Sequence, residues 1–245
     1  MTLLVTLKGT DGLVLAADSR GTFGDPRGVT AQNDAQQKAH VLAPHVAVLT
    51  AGSGEVGAMV IDQARREVGL RSLDGATNIL QLLRDTSRAS YADWFPSVPA
   101  IQPIPLVQSG QVASRPDLAF ILGGYDDDTP RIVSLISAFD FNPMLHDYGF
   151  AVQGVAQYAL YLLNRLYEPG RTIEELTPLA IYTITETASQ DGKVGGPVNV
   201  ITVTSAPPPD GGCKIVPRER VQAIEQANAA RSQALRASFY SERGQ

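Results

Sequence analysis

The feature that most constrains this chain is the point at which its hydrophobic period changes. Through residue 51 the apolar residues come in four short runs, 3–7, 13–17, 39–43 and 46–51. Asp11-Gly12 joins the first two and Pro44-His45 the last two, and turn residues between β-rich runs specify hairpins. This predicts a four-stranded antiparallel unit in the first fifty residues, with residues 21–37 a polar loop between its hairpins. From Glu55 the period becomes helical: Val56, Met59, Val60, Ala64 and Val68 share one face, and Ile79, Leu80, Leu82, Leu83 and Tyr91 continue the pattern across 76–94.

The second half repeats the order. Pro96, Pro99, Pro103 and Pro105 mark 95–114 as a loop or irregular insertion. Strand-like runs return at 118–122, 131–137 and 149–153, followed by helices over 155–167 and 172–189. Thr172 and Glu175 form a capping box at the start of the second, which puts Pro178 in or just after its first turn. A last strand covers 198–204. Strands, two helices, strands, two helices and a strand lack the alternation that doubly wound parallel folds require. The order predicts an α+β fold, a four-layer α-β-β-α sandwich of two antiparallel sheets. Residues 1–205 read as one domain, 206–217 as a linker with a short extended segment, and 218–245 as a C-terminal helical extension. In that extension Val221, Ile224, Ala227, Ala234 and Leu235 make a thin apolar stripe, which suits either a packed appendage or a contact between subunits.

Composition narrows the function. The net charge is −5 and no Lys/Arg block occurs, which argues against a nucleic-acid surface. A single cysteine, Cys213, permits no internal disulfide, and His40, His45 and His146 are not at metal-ligand spacing. No stretch approaches the ~20 apolar residues that span a bilayer, and Lys8 and Asp11 interrupt any secretory apolar core. No P-loop is present, so any ATPase would be a separate chain. The expectation is a cytoplasmic protein with no cofactor, no metal and no membrane partner.

Thr2 stands directly behind the initiator methionine. Its small side chain permits removal of Met1, which would leave a residue with a hydroxyl nucleophile and a free α-amine as its base. Many chains begin Met-Thr without consequence, so the reading depends on what accompanies it. Asp18, Ser19 and Arg20 close the second strand, where charge suits a surface end as well as a site. Lys38 precedes the second hairpin. Ala51, Gly52, Ser53 and Gly54 lie where a strand passes into a helix, a mere tight turn or a place where amides and a helix N-terminus meet a ligand.

Taken together, Thr2, residues 11–20 (DGLVLAADSR), 21–24 (GTFG), Lys38 and 51–54 (AGSG) resemble the β-type subunits of the proteasome family, which are N-terminal-nucleophile (Ntn) hydrolases. The family's spacing holds, with sixteen positions from Thr2 to Asp18 and fourteen from Lys38 to Gly52, although the loop from Arg20 to Lys38 is about four residues longer than the family pattern. Residues 121–126 (ILGGYD) and 190–200 (QDGKVGGPVNV) resemble later family segments, and the likeness runs over 2–204. No N-terminal helix precedes Thr2, which speaks against the non-catalytic α-type subunits of that family.

The resemblance implies the Ntn-hydrolase fold in a divergent bacterial or archaeal-like member, with Thr2 as nucleophile and Asp18 paired to Lys38 beside it. It implies Gly52 as oxyanion donor and Asp191 as part of the catalytic set. Arg20, Gly21 and Thr22 would hold the substrate main chain, and His40, Thr50 and Gly54 would line the first specificity pocket, Gly54 leaving it room. Two family serines are replaced: Gln153-Gly154-Val155 stands for a Ser-Gly-Ser turn, and Val194 follows the late aspartate. Gln153 is the candidate to support the amine and its water. The implied activity is a threonine peptidase acting on peptide or unfolded protein inside a homo-oligomeric ring, with any ATP-dependent unfoldase a separate partner. An Ntn amidohydrolase or transpeptidase, or a non-catalytic ring subunit, are the alternatives.

Overall fold

A strand that is apolar on both faces needs a cover on each side, and the central strands of this chain are of that kind. The computed structural model describes residues 2–24, 30–96, 115–207, 209 and 211–240; the proline-rich segment expected at 95–114 lies almost wholly outside them. β1 (Leu3–Lys8) and β2 (Leu13–Ala17) form one hairpin, and β5 (Ala39–Ala43) and β6 (Val46–Gly52) another. β2 is buried along its whole length. Val14 and Ala16 face one helical layer, while Leu13, Leu15 and Ala17 face the opposite sheet. In β6, Val46 and Val48 face the other helical layer and Ala47, Leu49 and Ala51 the space between the sheets. A single four-stranded unit cannot provide both covers. The two hairpins therefore lie in different sheets that face each other, and the expected four-stranded unit is corrected on that ground.

One sheet has the order β10-β1-β2-β11-β12, with β10 (Phe150–Gly154), β11 (Asn199–Thr204) and β12 (Gly212–Ile215) completing it. The other has the order β5-β6-β7-β8-β9, from β7 (Leu118–Asp126), β8 (Thr129–Ile136) and β9 (Met144–Leu145). Every pairing described is antiparallel. A third, two-stranded ribbon, β3 (Gly21–Gly24) with β4 (Thr30–Asn33), occupies part of the expected polar loop.

α1 (Gly54–Arg71) and α2 (Ala76–Trp94) cover the second sheet, burying Val60, Ile61, Ala64, Ile79 and Leu83. α3 (Ala156–Leu166) and α4 (Ile173–Gln190) cover the first. Thr172 and Glu175 form the full capping box at α4, and Pro178 falls in its second turn. The result is the α-β-β-α sandwich expected. α5 (Arg218–Ser238) adds to the layer of α3 and α4: Val221 is buried in their core, and Asn228 Nδ2 donates to the Pro178 carbonyl at 3.1 Å. β12, inside the expected linker, pairs with β11 along residues 212–215.

Candidate active site

The two sheets open at one end, where β1 begins, β2 ends, β5 begins and β6 ends. Leu4 faces the opposite sheet while Leu3, Val5 and Leu7 face the helices. The period-two alternation thus carries Thr2 to the face of Leu4, at the mouth of the inter-sheet space. Thr2 is buried there. Its carbonyl is fixed by the Val155 amide at 2.9 Å. Gly154, opposite Leu3 in β10, makes this approach possible: it has φ +93, and a Cβ on it would stand 1.8 Å from the Thr2 carbonyl oxygen.

Asp18 organises the mouth. Its Oδ1 accepts from Lys38 Nζ at 2.8 Å and from the Leu3 amide at 3.0 Å. Its Oδ2 accepts from the Gly195 amide at 3.1 Å and the Arg20 amide at 3.3 Å. One oxygen therefore ties the lysine ammonium to the residue next to Thr2. Lys38 Nζ also donates to the Arg20 carbonyl at 2.6 Å, and both charged side chains are inaccessible to solvent. Burial lowers the Lys38 ammonium below the usual lysine range, with the charge and hydrogen bond of Asp18 pulling the other way. Since Asp18 ends a strand of one sheet and Lys38 precedes a strand of the other, this ion pair also stitches the sheets together.

Gly52 ends β6 with φ +101, and a Cβ there would meet the Asp117 carbonyl oxygen at 2.1 Å. The Thr50 amide donates to the Lys38 carbonyl at 2.8 Å. By strand alternation the Gly52 amide leaves the same edge two residues on, beyond the start of β5. Thr50 and His40 are buried beside it, and burial, helped by the Arg65 charge, lowers the His40 imidazole to about 4. The Gln36 side-chain amide lies over Gly54, within 2.0 Å of where a Cβ would stand, and so takes up the room expected there. Thr22, on β3, has a buried hydroxyl with no hydrogen-bond partner among the described residues. Gly21 and Thr22 pair with β4 on one edge of β3; among the described residues the other edge has no strand.

The arginine and the late aspartate are placed differently from the others. The Arg20 guanidinium is occupied by Asp34 at 2.8 and 2.9 Å and by the Gly192 carbonyl at 3.0 Å; its main chain, not its side chain, meets Lys38. Asp191 caps the turn after α4, accepting from the Lys193 amide at 2.9 Å. It reaches the Asp18 cluster only through that turn, whose Gly195 supplies an amide to Asp18 and a carbonyl to Ser19 and Arg20. Val194 is fully buried in the apolar layer beneath the first sheet. Gln153 stands opposite Leu4 in β10. The sequence reading did not single out Asp34, Gly195 or the Leu3 amide. Two consecutive glycines at 195 and 196 were the available signal for a close approach, whereas a lone aspartate in a polar loop carries none.

The comparisons with known proteins follow the same residues. The family model described as "Proteasome subunit" matches residues 2–84, which hold Thr2, Asp18, Lys38 and Gly52. The proteasome subunit beta of Haloquadratum walsbyi is 30% identical over 203 residues, covering 83% of this chain and 73% of that protein. This chain belongs to the proteasome β-subunit family. Its identity to other members is modest, 24% over 225 residues for the proteasome subunit beta of Methanopyrus kandleri, which covers 91% of this chain and 94% of the relative. Among solved structures, Anbu from Hyphomicrobium sp. strain MC1 superposes with a TM-score of 0.69 at 18% identity, covering 99% of this chain and 98% of that one. Anbu (ancestral beta-subunit) from Yersinia bercovieri gives 0.70 at 15%, covering 99% of each. At such identities the likeness establishes the fold. In proteasome β-subunit terms the chain is a divergent member of the Ntn class. Among the described residues no helix is long and apolar enough to cross a membrane.

Proposed function

We propose that this protein is a threonine-type N-terminal-nucleophile peptidase that works inside a self-compartmentalised homo-oligomer. The observation that carries the proposal is the single Asp18 oxygen shared by Lys38 Nζ and the Leu3 amide, which sets a buried cation next to Thr2. After removal of Met1, the Thr2 Oγ attacks the scissile carbonyl carbon and its proton passes to the α-amine. The Lys38 charge favours the alkoxide and disfavours protonation of the amine, which starts near the ~7.7–8.0 of an ordinary N-terminus. The Gly52 amide receives the oxyanion, a contact worth about 3–4 kcal/mol in other enzymes. Collapse expels the amine product, protonated by the ammonium, and a water activated by the Thr2 amine frees the acyl group. The free edge of β3 at Gly21 and Thr22 receives the substrate main chain as an added strand.

Asp34 and Arg20 hold the turn that delivers Gly195 to Asp18, and Asp191 closes that turn. These residues position the charged cluster. The family likeness supports a ring with inward-facing sites, a cytoplasmic setting, and a separate ATP-driven unfoldase as feeder.

Intact mass and an electrophilic peptide probe test the proposal. Loss of Met1 and one covalent adduct per chain, absent in Thr2→Ala, are expected. A retained Met1, or an adduct that survives Thr2→Ala, defeats it, and a processed chain with no adduct makes this a non-catalytic ring subunit. The hydrophobic Val194 and the amide Gln153 at positions of family hydroxyls favour a second reading, acyl transfer to an amine or amidohydrolysis. Peptide incubated with added amines separates them: ligated products mark a transpeptidase, free acids a hydrolase.

A further inference from the structure

Three parts of the molecule meet at Arg20, and the residue that grips its side chain lies outside every motif that carries the family likeness. The Arg20 main chain serves the charged centre directly. Its carbonyl accepts from Lys38 Nζ at 2.6 Å, and its amide donates to the Gly195 carbonyl at 2.9 Å and to Asp18 Oδ2 at 3.3 Å. The side chain faces the other way. Nε and Nη2 form a fork on the two Asp34 oxygens at 2.8 and 2.9 Å, and Nη1 donates to the Gly192 carbonyl at 3.0 Å. Arg20 directly precedes β3 and Asp34 directly follows β4, so the fork closes the base of the ribbon one step beyond the Gly21–Asn33 pair.

The turn over residues 192–196 is moulded on that fork. A Cβ on Gly195 would stand 2.6 Å from Arg20 Cζ, and one on Gly196 would stand 2.7 Å from Ser19 Oγ and 2.9 Å from Asp34 Cβ. Ser19 Oγ donates to the Pro197 carbonyl at 2.7 Å, and Gln32 Nε2 to the Gly192 carbonyl at 3.3 Å. The amide that this turn presents, that of Gly195, occupies Asp18 Oδ2 and leaves Oδ1 to Lys38 and the Leu3 amide. Asp34 acts through its charge as well. Burial lowers the Lys38 ammonium, and the charge and hydrogen bond of Asp18 oppose this; the Asp34 charge opposes it too, while that of Arg20 adds to it. An arginine–carboxylate fork fixes the plane of the guanidinium as well as its position. A solvent-exposed ion pair contributes little to stability, and the Asp34 side chain is 43% exposed. The effect of this fork therefore falls on geometry and charge rather than on folding.

We propose, resting on the peptidase reading, that Asp34 is a positioning residue for that reaction: by holding the Arg20 guanidinium it keeps the Arg20 carbonyl on the Lys38 ammonium and the Gly195 amide on Asp18, and so keeps the cation in place beside Thr2. Loss of Asp34 frees the guanidinium and the turn together. It also removes a negative charge near Lys38 and leaves the Arg20 charge unmatched. Both changes favour the neutral amine, so the ammonium is lost at lower pH.

The test is the rate of Thr2 adduct formation with a β-lactone, read by intact mass on the full processed chain from neutral to alkaline pH. In Asp34→Ala the rate at neutral pH is expected to fall about tenfold. Its alkaline limb should begin at lower pH than in the parent, with the melting temperature nearly unchanged. Asp34→Glu, which can remake the fork, should recover most of the rate and return the limb. Asp34→Asn covers the case in which Asp34→Ala disturbs the ribbon: it keeps an acceptor for the guanidinium without the charge, so it should melt with the parent and still move the limb down. Rate and limb unchanged in Asp34→Ala and Asp34→Asn overturn the proposal. A slower rate that keeps the parent's limb, or that Asp34→Glu does not recover, reduces Asp34 to a loop support and overturns it as well. A parent that forms no adduct defeats the peptidase reading and this role with it, whereas an adduct in the parent with an unmoved limb defeats the role of Asp34 alone.

Discussion

Lys38 holds a charge where burial works against it, and two predictions follow from groups in that position. Because burial lowers its pKa, the ammonium is present at low pH and is lost as pH rises toward, but before, the ordinary lysine value of about 10.4. Peptidase activity is therefore expected to decline on an alkaline limb that falls below that value. In Lys38→Arg, whose charge does not titrate, the residual activity should lose that limb; a limb unchanged from the parent, measured as kcat/KM against pH, would assign it to another group. Lys38→Ala leaves Asp18 buried without a counter-charge, at a cost of about 3–5 kcal/mol, so activity loss in that variant is read alongside its melting temperature. His40 is the second case. Its folded pKa, about 4, is below the unfolded 6.5, so the protein is favoured by neutral His40 above about 6.5 and loses that contribution as pH falls from there through 4. The full loss is on the order of 3 kcal/mol. Chemical denaturation at pH 7 and pH 4 should show His40→Gln losing less stability than the parent over this interval; an equal loss in both would rule His40 out as a source.

At the scale of elements, the site depends on backbone approaches that only particular residues permit. Gly154→Ala introduces a Cβ against the Thr2 carbonyl at a positive φ, where strain alone costs about 1–3 kcal/mol. It should displace the start of β1 and abolish the Thr2 adduct. Gly69→Ala, in α1 where an added Cβ would stand in open space, should instead stabilise by about 0.5–1 kcal/mol and leave the adduct intact. Equal adduct yield in the two variants would show that the approach of β10 to Thr2 is not needed. Most of these elements were readable in the chain because their signals are local: Asp11-Gly12 specifies a turn, Thr172 and Glu175 a helix start, and the spacing after Glu55 a helix. Which strands share a sheet was not local. The hairpins of residues 3–17 and 39–51 look alike as sequence, and only the need to cover both apolar faces of each sends them to opposite sheets. β12 was missed as a sheet strand for a related reason, since residues 212–215 hold too few apolar side chains to stand out and gain their place by pairing with β11. The charged centre was legible through the family resemblance of its residues and spacing, whereas the partners of Arg20 were not: its carbonyl meets Lys38 and its guanidinium meets Asp34, a residue with no signal of its own.

On the whole molecule the helical layer over the first sheet is unevenly covered. α3 presents Tyr158, Tyr161, Leu160 and Leu166 outward, with Tyr161 62% exposed, whereas its Ala159 and Leu163 are buried against the sheet. Tyr158 and Tyr161, three residues apart on one exposed face, form an aromatic patch of the kind that suits contact with another chain. α5 lies against α4 through Val221 and Asn228, so it caps part of this layer without reaching all of it. In a self-compartmentalised assembly the exposed face of α3 is the natural place for contact between subunits, and that gives the prediction its form. Tyr158→Glu/Tyr161→Glu should convert the native particle to smaller species by analytical ultracentrifugation, while circular dichroism and the melting of the isolated subunit stay the same. The Thr2 adduct should persist if the site is complete within one chain, because Asp18, Lys38 and Gly52 all come from the same subunit. A particle of unchanged mass in this variant would move the contact to another face, and a monomeric parent would remove the compartment from the proposed function altogether.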